Sequence, residues 1–192
     1  IVNRLRLSGR KKQDSHARIK ETARALADGD LERAEHLAFQ SLLESPFDLD
    51  VLRQCVHVAT QSKNWHAAAV HWLALKELEQ ETSPDTYAGL VQAIRNAKHF
   101  ELADRVALEG LRKFPNHMSI QSEYAWVAQS KKDWSAAARR LEEIIESHEE
   151  KASGKVRRRL NEVRLFLREN AFFEGGALAP DGLRAADTGR RA

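Results

Sequence analysis

Histidine, serine, cysteine and acidic side chains are the groups from which this chain would have to build a catalytic or metal site. Its eight histidines include neither an H-E-x-x-H motif nor a pair four residues apart, the spacing that puts two metal ligands on one helical face. There is no G-x-S-x-G nucleophile motif, and Ser153-Gly154-Lys155 lacks the upstream glycine of a phosphate-binding loop. We therefore predict no catalytic residue, no metal, no cofactor and no enzymatic activity in this chain.

Two further groups of polar residues have simpler structural explanations. Cys55 is the one cysteine, so an intrachain disulfide is excluded, and its place in the pattern described below predicts a buried, inert thiol. An acidic run between residues 142 and 150 is typical of a solvated helix face rather than of paired catalytic carboxylates; it comprises Glu142, Glu143, Glu146, Glu149 and Glu150.

Charge is distributed unevenly along the 192 residues, although the net charge is only +3. Residues 1–14 carry five basic side chains and one acid, and residues 151–168 carry seven basic side chains against one glutamate. No apolar run approaches the roughly 20 residues that span a bilayer, and no signal-peptide pattern opens the chain. We expect a cytoplasmic protein with basic ends, and the start at Ile1 indicates a processed chain or a fragment.

The elements that position these residues are indicated by a repeat with intervals of 34, 35 and 34 residues. In each copy a large apolar residue precedes an alanine by three places: Leu31…Ala34, Trp65…Ala68, Phe100…Ala103 and Trp134…Ala137. This period predicts a repeated pair of antiparallel helices, in which the alanines permit a close crossing and each pair buries the apolar face of its neighbour.

Helix-capping residues agree with this division. Asp30, Asn64 and Asp133 each precede the large apolar residue and are suited to cap the second helix of a pair. Ser83-Pro84-Asp85 has the N-cap, first-turn proline and early acid that begin a helix. The four units begin at Ser15, Leu49, Pro84 and Met118, and each of these residues is position 1 of its unit.

In this numbering the chain resembles the tetratricopeptide repeat (TPR) family, whose 34-residue unit has small residues at positions 8, 20 and 27 and proline at position 32. The matches are strongest at positions 11, 17 and 20, and Pro46 and Pro115 occupy position 32. Position 27 departs from the pattern, with large residues in two units, and predicts irregular stacking; it reads Ser41, Leu75, Gly110 and Ile144.

The resemblance implies an all-α fold, a right-handed α-solenoid of about four TPR helix pairs with a C-terminal capping helix. We expect a basic N-terminal arm, or the end of a preceding helix, over residues 1–14 and four repeats over 15–150. The repeats occupy 15–48, 49–83, 84–117 and 118–150, followed by an amphipathic basic capping helix over 151–173 and a linker-like tail over 174–192.

In this family the first helix of each pair lines a concave face that binds peptides or proteins. Carried over by position, the resemblance implies a partner-binding strip made of Arg53, His57, Gln92, Arg95, Asn96, Trp126 and Gln129. The carboxylate clamp known in the family needs lysine and asparagine where this chain has Ile19 and Ala23, so we do not expect that particular site.

The capping helix is predicted by apolar residues that recur on one face, namely Val156, Leu160, Val163 and Leu167. Its other face is basic, and two explanations stay open. It is either the polar outer face that a terminal repeat needs or a patch for an anionic partner. The candidate patch comprises Lys155, Arg157, Arg158 and Arg159.

Three functions follow as hypotheses. The first is a non-catalytic interaction module or assembly scaffold that binds a peptide or protein. The second is an accessory or oligomerisation domain of a larger enzyme with its catalytic domain in the same polypeptide. Asn64-Trp65…Trp72 and the segment from Phe114 to Trp126 are similar to TPR segments of bacterial surface-polysaccharide glycosyltransferases. The third is an adaptor for RNA or an anionic membrane; a homodimer is also left open.

Overall fold

The structure, a computed structural model, describes residues 16–148 and 154–176, with side chains through residue 170. Residues 1–15, which include the predicted N-terminal arm, residues 149–153 and residues 177–192 lie outside the described part. Every regular element within the described ranges is an α-helix. In chain order these are α1 (16–27), α2 (Leu31–Glu44), α3 (Leu49–Gln61), α4 (Trp65–Leu78), α5 (Pro84–Asn96), α6 (Phe100–Lys113), α7 (Met118–Ser130), α8 (Trp134–Ser147) and α9 (Gly154–Gly176).

The helices stack in sequence order. From α2 onward each helix packs on the next, and α7 also packs on α5, so the first helices of neighbouring units touch. All four alanines at position 20 are fully buried, as their role at the close helix crossing requires. They are Ala34, Ala68, Ala103 and Ala137. The predicted α-solenoid is therefore confirmed.

The predicted caps are also present. The side chains of Asp30, Asn64 and Asp133 accept the backbone N–H three residues further on, and Ser83 does the same at the start of α5. Asp48 caps α3 in a similar way, which the repeat pattern alone does not indicate.

The capping helix differs from its predicted extent. α9 continues to Gly176, three residues into the segment predicted as a linker-like tail. The physical reason is local, because residues 168–174 contain neither glycine nor proline and nothing in them stops a helix before Gly175-Gly176. Its side chains Val156, Leu160 and Val163 are buried against α7 and α8, in a cluster with Leu141 and Ile144.

Candidate functional site

The candidate site is a cleft of about 560 Å³, here called the Trp126 groove, between α5, α7 and α9. It brings together residues that the sequence assigns to two separate surfaces. Its lining includes Gln92, Arg95, Trp126 and Gln129 of the predicted concave strip and Lys155, Arg158 and Arg159 of the predicted anionic patch. Ser130, Trp134 and Glu162 complete the wall.

The position of α9 creates this arrangement. α9 packs on α8 as α5 packs on α4 and α7 on α6, so it takes the place of the first helix of a fifth unit. Burial of Val156, Leu160 and Val163 fixes the rotation of α9 about its own axis. Exposed residues that follow one another at intervals of about one turn then lie on the groove side, namely Lys155, Arg158, Arg159 and Glu162. The basic helix is thus a wall of the groove rather than a separate surface.

Trp126 is the aromatic centre of the groove. The ammonium of Lys155 lies 4.4 Å from the centroid of the Trp126 ring, and the guanidinium carbon of Arg95 lies 5.9 Å from it. Cations at such distances are attracted to the electron-rich face of an indole, by roughly 0.5–1 kcal/mol where water has access. These contacts hold two positive charges at the edge of an apolar surface.

The guanidinium of Arg95 is held in place by the buried carboxylate of Glu123 on α7. Nε and Nη2 of Arg95 both lie 3.2 Å from Oε2 of Glu123, and Nη1 donates to Oδ1 of Asn96 at 3.0 Å. Glu123 is almost entirely buried, and this burial raises the pKa of its carboxyl although Arg95 and Lys155 act in the opposite direction. The sequence pattern alone does not identify Glu123 as a residue of the site.

The remaining cations of the groove differ in their partners. Arg159 donates to Oε1 of Gln129 at 2.6 Å and to Oε2 of Glu162 at 2.9 Å. Lys155 and Arg158 form no ion pair with any carboxylate in the described ranges 16–148 and 154–170. The groove therefore has four cations against the carboxylates of Glu123 and Glu162, and the excess positive charge lies on α9.

A second depression of about 310 Å³ meets the groove at Gln92 and Trp126, between α5 and α7. We call it the small-residue compartment, because Ala88, Gly89, Ser119 and Ser122 line it together with Met118 and Glu123. None of its lining residues is a cation. The two depressions form a continuous path that is uncharged or acidic at one end and basic at the other.

Other predicted site residues lie elsewhere. Arg53 on α3 is paired with Asp50 at 3.1 Å and with Glu79 at 3.2 Å, and His57 is exposed on the same helix outside the groove. Asn96 is placed beside the groove, as the acceptor for Arg95. Arg157 lines a different depression, against Glu142 and Glu146. The strip and the patch predicted from the sequence are therefore each brought together only in part.

Neither a metal-binding cluster nor a reactive cysteine is found among the described residues. No set of three or more His, Cys, Asp or Glu side chains within 16–148 and 154–170 is placed to hold a metal ion. Cys55 is buried, and its burial raises the pKa of the thiol to about 11, far above the range of a reactive cysteine. None of the helices in the described part is long and apolar enough to cross a membrane.

No protein-family model matches this chain, and no curated protein matches it in sequence. Several solved structures do match. MamA from Desulfovibrio magneticus RS-1 has a TM-score of 0.65 and 11% identity, over 82% of this chain and 88% of that chain. A thermophilic TPR protein of Thermus thermophilus has a TM-score of 0.58 and 16% identity, over 80% and 82% of the two chains.

A third match is to a chain of the APC/C hetero-tetramer Cut9-Hcn1, with a TM-score of 0.60 and 19% identity over 78% of this chain. The match spans only 29% of that longer chain. At these identities the likeness concerns the fold. The helix pairs, the buried alanines and the solved structures together give this chain the α-solenoid fold of tetratricopeptide-repeat proteins.

Proposed function

We propose that this chain is a non-catalytic binding module that holds a segment of a peptide or protein partner in the Trp126 groove. Proteins of this fold generally bind proteins or peptides. The observation that carries the proposal here is the meeting of three helices around the partly exposed indole of Trp126, with hydrogen-bonding and charged side chains on both sides of it.

The groove has the composition of a protein-binding surface. Tryptophan and arginine contribute disproportionately to binding energy at protein interfaces, because they combine a large apolar area with directed hydrogen bonds. Trp126 and Arg95 supply both, and Gln92 and Gln129 flank them with amide groups that can bond a peptide backbone. Arg95 is held by Glu123, so less of its side-chain freedom is lost when a partner binds.

The other functions considered from the sequence have less support. An accessory role in a larger glycosyltransferase rests on the sequence resemblance alone, and the solved structures named above include no such enzyme. An adaptor for an anionic membrane would present its cations on an open surface, whereas Lys155, Arg158 and Arg159 line a cleft. An adaptor for RNA is compared with a peptide-binding role below. A homodimer and a cytoplasmic location remain predictions from the sequence.

The proposal is tested by selecting peptides from a random displayed library on the full chain and measuring their dissociation constants by fluorescence polarisation. Trp126→Ala should weaken the selected peptides by about tenfold or more, equivalent to about 1.4 kcal/mol. Phe39→Ala is the matched control, since Phe39 is an exposed aromatic residue on α2, outside the groove. It should leave the affinities unchanged.

Circular dichroism would verify that both variants keep the helical content of the parent chain. Equal affinity of the selected peptides for the parent and Trp126→Ala would contradict the proposal, as would a selection that enriches no peptide over an unrelated helical protein.

A further inference from the structure

We infer that the segment bound in the Trp126 groove is an acidic peptide, with glutamate or aspartate side chains at Lys155 and Arg158 and an uncharged side chain in the small-residue compartment. This inference rests on the proposed function and names the chemistry of the partner. It follows from how charge is compensated along the groove.

The cations of the groove differ in whether they form ion pairs. Arg95 and Arg159 form ion pairs with Glu123 and Glu162, whereas Lys155 and Arg158 form no ion pair with the carboxylates described at 16–148 and 154–170. The charge of Lys155 acts on Glu123 only at longer range. Lys155 and Arg158 lie three residues apart on α9, so their side chains are neighbours on one face of the helix. They are available to donate charge-assisted hydrogen bonds to carboxylates of a partner.

The other end of the path disfavours an acidic side chain. The small-residue compartment has no cation to offset a ligand carboxylate, and Glu123 forms part of its wall. An acidic side chain there would meet an acidic wall, whereas a small apolar side chain would contact Ala88, Gly89 and Met118. The groove therefore favours a peptide that is uncharged where it lies between α5 and α7 and acidic where it lies against α9.

The surroundings of Trp126 favour a peptide over a nucleic acid. Binding of single strands relies on bases that stack on exposed aromatic faces and on a basic path for successive phosphates. Here the ammonium of Lys155 lies 4.4 Å from the centroid of the Trp126 ring and covers one of its faces. The carboxylates of Glu123 and Glu162 interrupt the basic path. Carboxylates confined to one end of a peptide match this pattern better than a uniform phosphate backbone does.

The test uses the full chain and fluorescein-labelled peptides in which a short apolar stretch is followed by a run of glutamates. Matched peptides replace the glutamates by glutamines or by lysines, and an oligouridylate of similar length serves as the nucleic-acid arm. We expect the glutamate peptide to bind at least about tenfold more tightly than the glutamine peptide, and this preference to shrink as salt is raised.

Variants of the chain locate the effect. The double substitution Lys155→Gln and Arg158→Gln should remove the preference for glutamate over glutamine. The double substitution Arg157→Gln and Arg164→Gln makes the same change of charge on the same helix but outside the groove, so it should retain that preference. Replacing Lys155 and Arg158 by glutamate should invert the preference toward the lysine peptide, which a merely destabilised α9 would not do.

Three outcomes would overturn the inference: equal binding of the glutamate and glutamine peptides, an unchanged preference in the double variant, or tighter binding of the oligouridylate. If the glutamine peptide binds as tightly as the glutamate peptide and Trp126→Ala abolishes both, the proposed function stands and only the acidic chemistry fails. If Trp126→Ala changes neither, the proposed function fails as well.

Discussion

Arg95 and Glu123 form a largely buried ion pair that joins α5 to α7 beneath the Trp126 groove. Nε and Nη2 of Arg95 converge on one oxygen of Glu123, each at 3.2 Å, and the Glu123 side chain is only 7% exposed. Since the two helices belong to successive units, this contact helps to set the width of the groove between them. It is also a charged contact whose energy depends on both partners being present.

Arg95→Met should therefore destabilise the chain, by about 2–4 kcal/mol at about pH 8, because it leaves the carboxyl of Glu123 buried without its guanidinium. The loss should depend on pH. Burial raises the pKa of Glu123 above its ordinary value of 4.5, and Arg95 opposes that rise. In the variant the folded pKa is higher still, so the folded state keeps the proton more firmly than the unfolded chain does.

Stability associated with Glu123 is then greatest below about pH 4.5 and falls as pH rises through the folded pKa. Urea denaturation at about pH 5 and about pH 8 should show the larger loss at about pH 8. The double variant Arg95→Met with Glu123→Gln, which removes both charges, should recover part of the stability and most of the pH dependence. An equal loss at both pH values would contradict this account.

Gly89→Ala should lower stability, although alanine normally favours a helix over glycine by roughly 0.5–1 kcal/mol. A Cβ at position 89 would overlap the six-membered ring of Trp72, which packs across α5 from α4. We expect a net loss of about 1–3 kcal/mol by chemical denaturation, because an indole ring cannot yield as a flexible side chain does. Gly154→Ala is the control, since a Cβ there meets nothing within 4 Å; similar effects at both positions would be evidence against this contact.

Three lysines adopt a left-handed backbone conformation between the helices of their units. Their φ values are 57° at Lys63, 66° at Lys98 and 63° at Lys132, and Gly29 has 77° at the same place in the first unit. A side chain with a Cβ is strained in this conformation by about 1–2 kcal/mol, whereas glycine is not.

Lys98→Gly should consequently raise the free energy of unfolding by about 0.5–1 kcal/mol. Lys20→Gly gives the opposite expectation, a loss of about 0.5–1 kcal/mol, because Lys20 is exposed within the regular helix α1. Thermal and urea melts of the two variants provide the comparison. A loss of stability in Lys98→Gly would show that the backbone at this turn is not strained.

Contacts that depend on short sequence separations could be predicted from the sequence. The N-caps at Asp30, Asn64 and Asp133 act within three residues, and the buried alanines repeat at a fixed interval. The left-handed turns have a sequence signal only at Gly29, because lysine at the equivalent positions is not a residue that typically marks such a turn.

The candidate site forms only because α9 packs on α8. No local sequence pattern indicates this packing. A rotation of about 100° per residue separates Arg157 from Arg158, so Arg157 lines the depression that contains Glu142 and Arg158 lines the Trp126 groove. The apolar residues of α9 indicate which face is buried, but not that the opposite face continues the surface of α7. For the same reason the sequence pattern predicts two separate binding surfaces where the structure has one groove.

Tyr87 and Gly110 have matched volumes at positions 4 and 27 of their unit. Tyr87 is fully buried, its hydroxyl donates to Glu109 at 2.8 Å, and a Cβ on Gly110 would lie 3.0 Å from its Cγ. The second unit fills the same two positions with a pair of buried leucines, Leu52 and Leu75. A large residue at position 27 is thus accommodated when position 4 is smaller than tyrosine.

Gly110→Leu should cost about 2–3 kcal/mol through overpacking, and Tyr87→Leu about 2–4 kcal/mol through the volume that it leaves empty. The double variant copies the pair of the second unit, so the inserted leucine fills the space that the ring vacates. Urea denaturation of all four proteins gives the coupling energy, which we expect to favour the double variant by at least about 1 kcal/mol. Strictly additive losses would mean that the two positions are not matched in volume, and that the fully buried tyrosine is tolerated for some other reason.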